Sequence, residues 1–138
     1  KGIPIVAQLR TIPGIGLITA TALVAFVGDA HRFKNARRFA CYLGLTPKEN
    51  SSGGKRRLGR ISKQGNPYLR HLLIHCARSM MRAAGTKTEP DRLRSWALDK
   101  AASRGPHKGA AAVANKLARL AWAIWAKNTT YCPQPAAS

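Results

Sequence analysis

Between Pro67 and Ala84, apolar residues recur at three- and four-residue steps: Leu69, Leu72, Leu73, Cys76, Ala77 and Met80. That period lines them up along one stripe of an α-helix, whereas in a strand they would fall on both faces. Asn66-Pro67 supplies the start, with Asn as the cap and Pro in the first turn, where no N–H is needed. A stripe this long must be covered, and the rest of the chain offers helices to cover it. Val113, Leu117, Leu120 and Ile124 form a second stripe on a helix from about Lys108 to Lys127, with Trp122 and Trp125 near its end as core or interface residues. Thr88-Glu89-Pro90-Asp91 reads as the start of another helix, with a hydroxyl cap and acids near the positive dipole end. It carries Leu93, Trp96, Ala97 and Lys100 and stops at Arg104-Gly105-Pro106. Asn35 caps a short helix through Ala36, Phe39, Ala40 and Leu43, closed by Gly44 in the left-handed region, with Tyr42 at the core's rim. No run alternates as a strand should, and no segment repeats. The expected fold is all-α, a compact bundle of five or six helices over residues 1–127, with a frayed tail at 128–138.

The bundle begins with a helix-hairpin-helix pattern over residues 3–28. A short helix leads to Thr11-Ile12-Pro13-Gly14-Ile15-Gly16, and a second helix of small and apolar residues follows. Gly14 and Gly16 permit a sharp turn and keep side chains away, so that N–H groups at the second helix's start can face a phosphate. Such contacts go to the nucleic-acid backbone and carry no sequence preference. A plain helical hairpin that touches nothing has the same pattern.

Charge narrows the choice of partner. Lysine and arginine number 24 against 5 acids, a formal charge of +19. A compact state with that excess repels itself, and a polyanion is the natural compensation. The cations do not gather on one amphipathic helix, so nucleic acid is a better partner than an anionic membrane, and no apolar run has membrane length. Hydrophobic residues make up 45% of the chain, enough for a folded core. Cys41, Cys76 and Cys132 are odd in number and widely spaced without a CxxC, which suggests buried thiols in a reducing cytoplasm. His71 and His75 stand at ligand spacing, but no third ligand accompanies them. No metal site is expected, and they read as solvent or phosphate contacts, as do Arg70 and Arg78.

Residues 46–66 form the most polar stretch and read as a flexible loop before the helical segment 67–127. Ser51 and Ser52 precede Gly53-Gly54, and then come Lys55, Arg56, Arg57, Arg60 and Lys63, with Arg70 beyond. No acid occurs from Asn50 to Thr88. A hydroxyl on a turn in such a positive field suits phosphodiester chemistry, because cations hold the phosphate and stabilise developing charge. Ser-Ser-Gly-Gly is also ordinary linker composition. The nucleic-acid contacts expected from the residues are therefore Gly14, Gly16, Lys55, Arg56, Arg57, Arg60, Lys63 and Arg70.

Three pieces in this order, IPGIG…TA, RFKNARRFACYLGLTPKENSSGGKRRLGRISKQGNPYLRHLL, and ANKLARLAWAIW after the Arg104-Gly105-Pro106-His107-Lys108 start, resemble one family. It is the C-terminal transposase domain of the insertion-sequence 110 type, the bacterial DEDD transposases that include pilin-gene invertases and bridge-RNA-guided recombinases. The resemblance covers about residues 9 to 127. It implies DNA binding and a serine nucleophile that forms a covalent 5′-type phosphoserine. That serine maps to Ser52, with Ser51 as second choice. It also implies an N-terminal RuvC-like domain carrying the acids and Mg²⁺, a guide RNA, assembly as a dimer or tetramer, and work at the bacterial nucleoid. The five acids of this chain form no DEDD set, so no cofactor is expected on it. The opening at Lys1 reads as that of a fragment, which would bind nucleic acid but complete no recombination alone. Two other readings compete: a non-catalytic helix-hairpin-helix DNA or RNA module, and a basic structural RNA-binding protein.

Overall fold

The computed structural model describes residues 4–45, 47–52, 55–61, 66–85 and 91–134; for 47–52 and 55–61 it is the backbone that is described. Six α-helices occur among them: α1 (Ile5–Leu9), α2 (Leu17–Val27), α3 (Ala36–Tyr42), α4 (Pro67–Gly85), α5 (Arg92–Arg104) and α6 (Pro106–Lys127). A 3₁₀ turn, Ala30–Arg32, joins α2 to α3, and two strands, β1 (Pro47–Ser52) and β2 (Lys55–Ile61), lie between α3 and α4. The helical bundle is the expected one.

Helix α6 is its axis, packed by α1, α3, α4 and α5. Small residues make that possible: Gly109, Ala110, Ala114, Ala118 and Ala121 are all buried on it. A Cβ at Gly109 would lie 3.0 Å from Lys100 O and from Ala101 Cα, so α5 crosses α6 at near backbone contact. Around this seam Leu69, Leu73, Cys76, Ala77 and Met80 of α4 join Val113, Leu117 and Ile124 of α6 in one core. These are the stripes the periodicity predicts. Burying a side chain of this size contributes about 1.5–3 kcal/mol, so the two stripes dominate the bundle's stability.

The caps follow local chemistry. Asn35 Oδ1 accepts the Arg38 N–H at 2.9 Å. Asn66 Oδ1 accepts from Tyr68 at 3.0 Å and Leu69 at 3.1 Å. Helix α5 differs from expectation. Its cap is Asp91, which accepts the Arg94 N–H at 3.0 Å; Thr88, Glu89 and Pro90 lie outside the described residues. A carboxylate one residue before the first turn satisfies the orphan N–H directly, so Asp91 sets the helix start. Helix α6 likewise starts at Pro106, earlier than the stripe alone indicates, because Pro is pre-formed for a first turn.

Two further expectations need correcting. The stretch expected as a loop at 46–66 contains an antiparallel pair: Ser52 faces Lys55, Ser51 faces Arg56, Asn50 faces Arg57, Glu49 faces Leu58 and Pro47 faces Ile61. The register shifts between Pro47 and Glu49, where β2 carries the extra residue, so Gly59 and Arg60 stand against Lys48. The chain beyond Asn128, expected to fray, is tied back as far as Gln134. Asn128 takes a left-handed φ of 56° to end α6, and its Oδ1 accepts from Gln8 Nε2 at 2.6 Å. The Tyr131 N–H donates to Thr11 Oγ1 at 2.8 Å, and the Arg92 N–H donates to Gln134 O at 2.8 Å. Proline removes donors from this stretch but leaves its carbonyls able to pair.

Candidate nucleic-acid interface

The helix-hairpin-helix glycines have different surroundings. Gly14 has φ +89°, and a Cβ there would sit 2.8 Å from Cys76 O and 3.0 Å from Met80 Cβ. Its missing side chain makes room for α4. Gly16, the cap of α2, has no atom within 4 Å of a Cβ position, so the open side of the turn is at Gly16. The start of α2 leans on Cys76: Thr19 Oγ1 lies 3.2 Å from its Sγ, and the Gly16 N–H donates toward the same sulfur. Burial pushes the Cys76 thiol up, so this sulfur is a packed, protonated group. Cys41 and Cys132 are exposed, contrary to the expectation of buried thiols, since Cys41 falls on the outer side of a seven-residue helix and Cys132 beyond the end of α6. No disulfide occurs among the described residues.

The strand pair places Ser51 and Ser52 at the end of β1, with only Gly53 and Gly54 before β2 begins. Position Ser52 thus pairs with a lysine and Ser51 with an arginine, and Arg57 follows against Asn50. Lys55, Arg56, Arg57 and Arg60 all lie on β2, Arg60 in the irregular step. Lys63 lies outside the described residues.

The ribbon's roots are fixed. Leu45 is buried, its N–H donates to Ala40 O at 3.0 Å, and its carbonyl accepts from Asn115 Nδ2 at 3.0 Å. At the other root, Asn66 caps α4, whose first turn carries Arg70. Nη1 of Arg70 is buried and has no hydrogen-bond partner among the described residues. A guanidinium N–H left unmet in the interior is costly, and an oxyanion would satisfy it. Further along α4, Tyr68, His71, His75, Arg78 and Arg82 are all exposed and recur at three- and four-residue steps. Arg78 Nη2 contacts His107 Nδ1 at 3.2 Å. The acids nearest in role are occupied elsewhere: Asp29 holds His31 at 3.0 Å, and Asp91 holds Arg94 at 3.3 Å and Tyr131 Oη at 2.9 Å. No ion pair joins an acid to the α4 stripe among the described residues. No group of three His, Cys, Asp or Glu side chains suited to a metal ion occurs among the described residues, and the donors present do not make a Mg²⁺ centre. No helix among them is long and apolar enough to cross a membrane.

The family described as Transposase IS116/IS110/IS902 matches residues 6–92, which run from α1 through the ribbon and α4 to the first residue of α5. The chain belongs to this family. It is 44% identical over 128 residues to a probable family 20 transposase of Pseudomonas aeruginosa, covering 93% of this chain and 37% of that protein. It is 40% identical over 124 residues to the transposase for insertion sequence element IS1111A of Coxiella burnetii, covering 90% of this chain and 34% of that protein. A pilin gene-inverting protein of Moraxella lacunata is 44% identical over 45 residues, 33% of this chain and 14% of that one. This transposase-family chain thus spans about a third of the length of its long-matching relatives. Tyr68 and Arg82, which the sequence reading did not include, join His71, His75 and Arg78 as interface candidates; the signal was their helical spacing opposite the buried stripe.

Proposed function

We propose that this chain is the DNA-binding, nucleophile-bearing part of a transposase. Ser52 Oγ, with Ser51 as the alternative, attacks a DNA phosphorus. The P–O3′ bond breaks, the 5′ phosphate remains on the serine, and the departing 3′ oxygen takes a proton. One phosphate ester replaces another, so the reverse attack by a 3′ hydroxyl rejoins the strand without an energy source. The observation that carries this reading is the strand register: both serines lie at the end of β1, paired with Lys55 and Arg56, beside Arg57. Cations there favour the extra negative charge of the pentavalent transition state over the ground state. Arg70, whose Nη1 has no partner among the described residues, and the α4 stripe hold neighbouring phosphates.

The serine's proton needs an acceptor, and the one acid in β1 is Glu49. On this reading a RuvC-like domain of the same polypeptide completes the site. Mg²⁺ bound there would supply Lewis-acid stabilisation of the phosphate. A guide RNA and assembly into a dimer or tetramer belong to the same proposal.

The test is covalent trapping in the full-length transposase with its RNA and a nicked DNA target. Wild type should give a protein–DNA adduct that Ser52→Ala abolishes, with Ser51→Ala as the parallel variant. If both single variants and the double variant still form adduct and recombine, the serine assignment is wrong. If in addition Arg57→Glu weakens binding, a purely binding role replaces it.

A further inference from the structure

A cleft of about 400 Å³ lies between α5, α6 and the tied-back tail, lined by Leu93, Trp96, Leu120, Ile124 and Tyr131, with Arg92 and Lys116 among its cations. All but Arg92 lie beyond the segment matched by the family, on the helices that follow the ribbon and α4. The walls are aliphatic and aromatic. Trp96 is half-buried, and Lys100 Nζ and Lys116 Nζ lie over its ring at 5.5 and 5.9 Å from the centre, so a stacked base would displace one of these flexible side chains. Arg92 and Lys116 are exposed. The nearby carboxylate, Asp91, is paired with Arg94 and bonded by Tyr131 Oη, and the Arg94 guanidinium offsets part of its charge.

We propose that this cleft holds a single unstacked nucleotide of a nucleic-acid strand, with its base on Trp96 and its phosphate at Lys116 and Arg92. An indole face, apolar walls and cations at the rim match a flat ring with an anionic tail. Stacking on an aromatic face is how proteins hold bases that have left the helix. The volume lies at the small end of ligand clefts, which suits one nucleotide and not a stacked pair. The inference rests on the reading that the chain handles nucleic acid. It adds a site apart from the serine ribbon.

The experiment is a titration of the intact chain with adenosine 5′-monophosphate, followed by the Trp96 indole N–H and the Leu93 and Leu120 methyl resonances. Saturable shifts at all three are expected. Trp96→Leu should weaken binding about tenfold or more, read at the methyls, while Trp96→Phe, which keeps an aromatic face, stays within about threefold. Lys116→Gln should reduce the affinity to that of adenosine, and ribose 5-phosphate should leave the Trp96 resonance unmoved. The single strand d(A)₅ should displace the mononucleotide; if it cannot, the occupant is a free nucleotide and the proposal fails. It also fails if shifts appear only in α4, or if Trp96→Leu binds like wild type. Duplex binding is measured on the same samples. Duplex binding without a response at Trp96 overturns only the cleft, and saturation of the cleft without duplex binding overturns only the DNA-handling role.

Discussion

Three glycine-to-alanine substitutions separate backbone strain from helix contact in the turn that opens the fold. At Gly16 a Cβ meets nothing and φ is −98°, so Gly16→Ala should change stability by less than about 1 kcal/mol. At Gly28 the space is equally open but φ is +82°, so Gly28→Ala incurs only the conformational cost, about 1–3 kcal/mol. Gly14 combines φ +89° with a Cβ position 2.8 Å from Cys76 O, which is backbone inside a helix and cannot swing aside. Relieving it means lifting the turn off α4, an overpacking penalty of about 1–3 kcal/mol on top of the strain. Gly14→Ala should therefore lose about 2–6 kcal/mol, a large share of the usual 5–15. In a domain of this size each kcal/mol moves Tm by about 3–5 °C, so the variant should melt roughly 6–30 °C lower. Thermal and urea unfolding by circular dichroism measure all three. If Gly14→Ala costs no more than Gly28→Ala, the turn does not dock on α4 as described, and the assignment of Gly14 to helix contact is wrong.

Tyr131 gives a pH prediction. Burial, and then the hydrogen bond and charge of Asp91, push its pKa up to about 12 from the ordinary 10. The folded state thus favours the protonated phenol, so this stabilisation is complete below about pH 10 and is lost as pH rises toward 12. Tyrosinate absorbance should show one late titration step that Tyr131→Phe removes. Asn115→Leu deletes the donor to the buried Leu45 carbonyl and should cost about 1–3 kcal/mol in urea unfolding, whereas Lys116→Gln, one residue on but exposed, should cost under about 0.5.

The helices were legible because each buried stripe repeats at the helical period and each start has its own cap, as at Asn35 and Asn66. The start of α5 was placed a few residues early because Thr88 reads as the cap and Asp91 as an acid near the dipole, and the sequence does not say which side chain meets the first free N–H. The ribbon was not legible for a physical reason. Its first strand, Pro47 to Ser52, contains proline, asparagine and glutamate, all poor strand formers, and no apolar alternation. Pairing there follows the two-glycine connection and the fixed roots, not the pattern that marks a strand packed on a core. Asn115 also gave no warning: a polar residue on a helix shows its value only when a carbonyl from residue 45, far away in sequence, arrives beside it. At the candidate interface, charge marks the cations as a group, but a buried Arg70 Nη1 without a partner among the described residues is a property of the fold. The cleft was half visible, since Trp96 and Lys100 stand four apart on one helix, while Lys116 and Tyr131 come from elsewhere in the chain.

On the proposed mechanism, rooting the serines on a paired ribbon changes what a serine nucleophile must overcome. A serine on a free loop has to be ordered before attack, at about 1–2 kcal/mol for every residue fixed. Here β1 and β2 order each other, and both ends meet the same bundle: Leu45 through Ala40 and Asn115, and Asn66 through the first turn of α4. The chain leading into β1 is thereby tied to the bundle at Leu45. On the proposed reading such preorganisation acts mainly on the chemical step, because Arg70 and the α4 stripe, which lie outside the ribbon, would hold neighbouring phosphates whether or not the ribbon is stiff. Loosening the root at Asn115 should consequently slow adduct formation at saturating DNA while leaving the salt dependence of DNA binding unchanged. A change in that salt dependence instead would mean that the ribbon's main work is to hold phosphate and not to aim the serine.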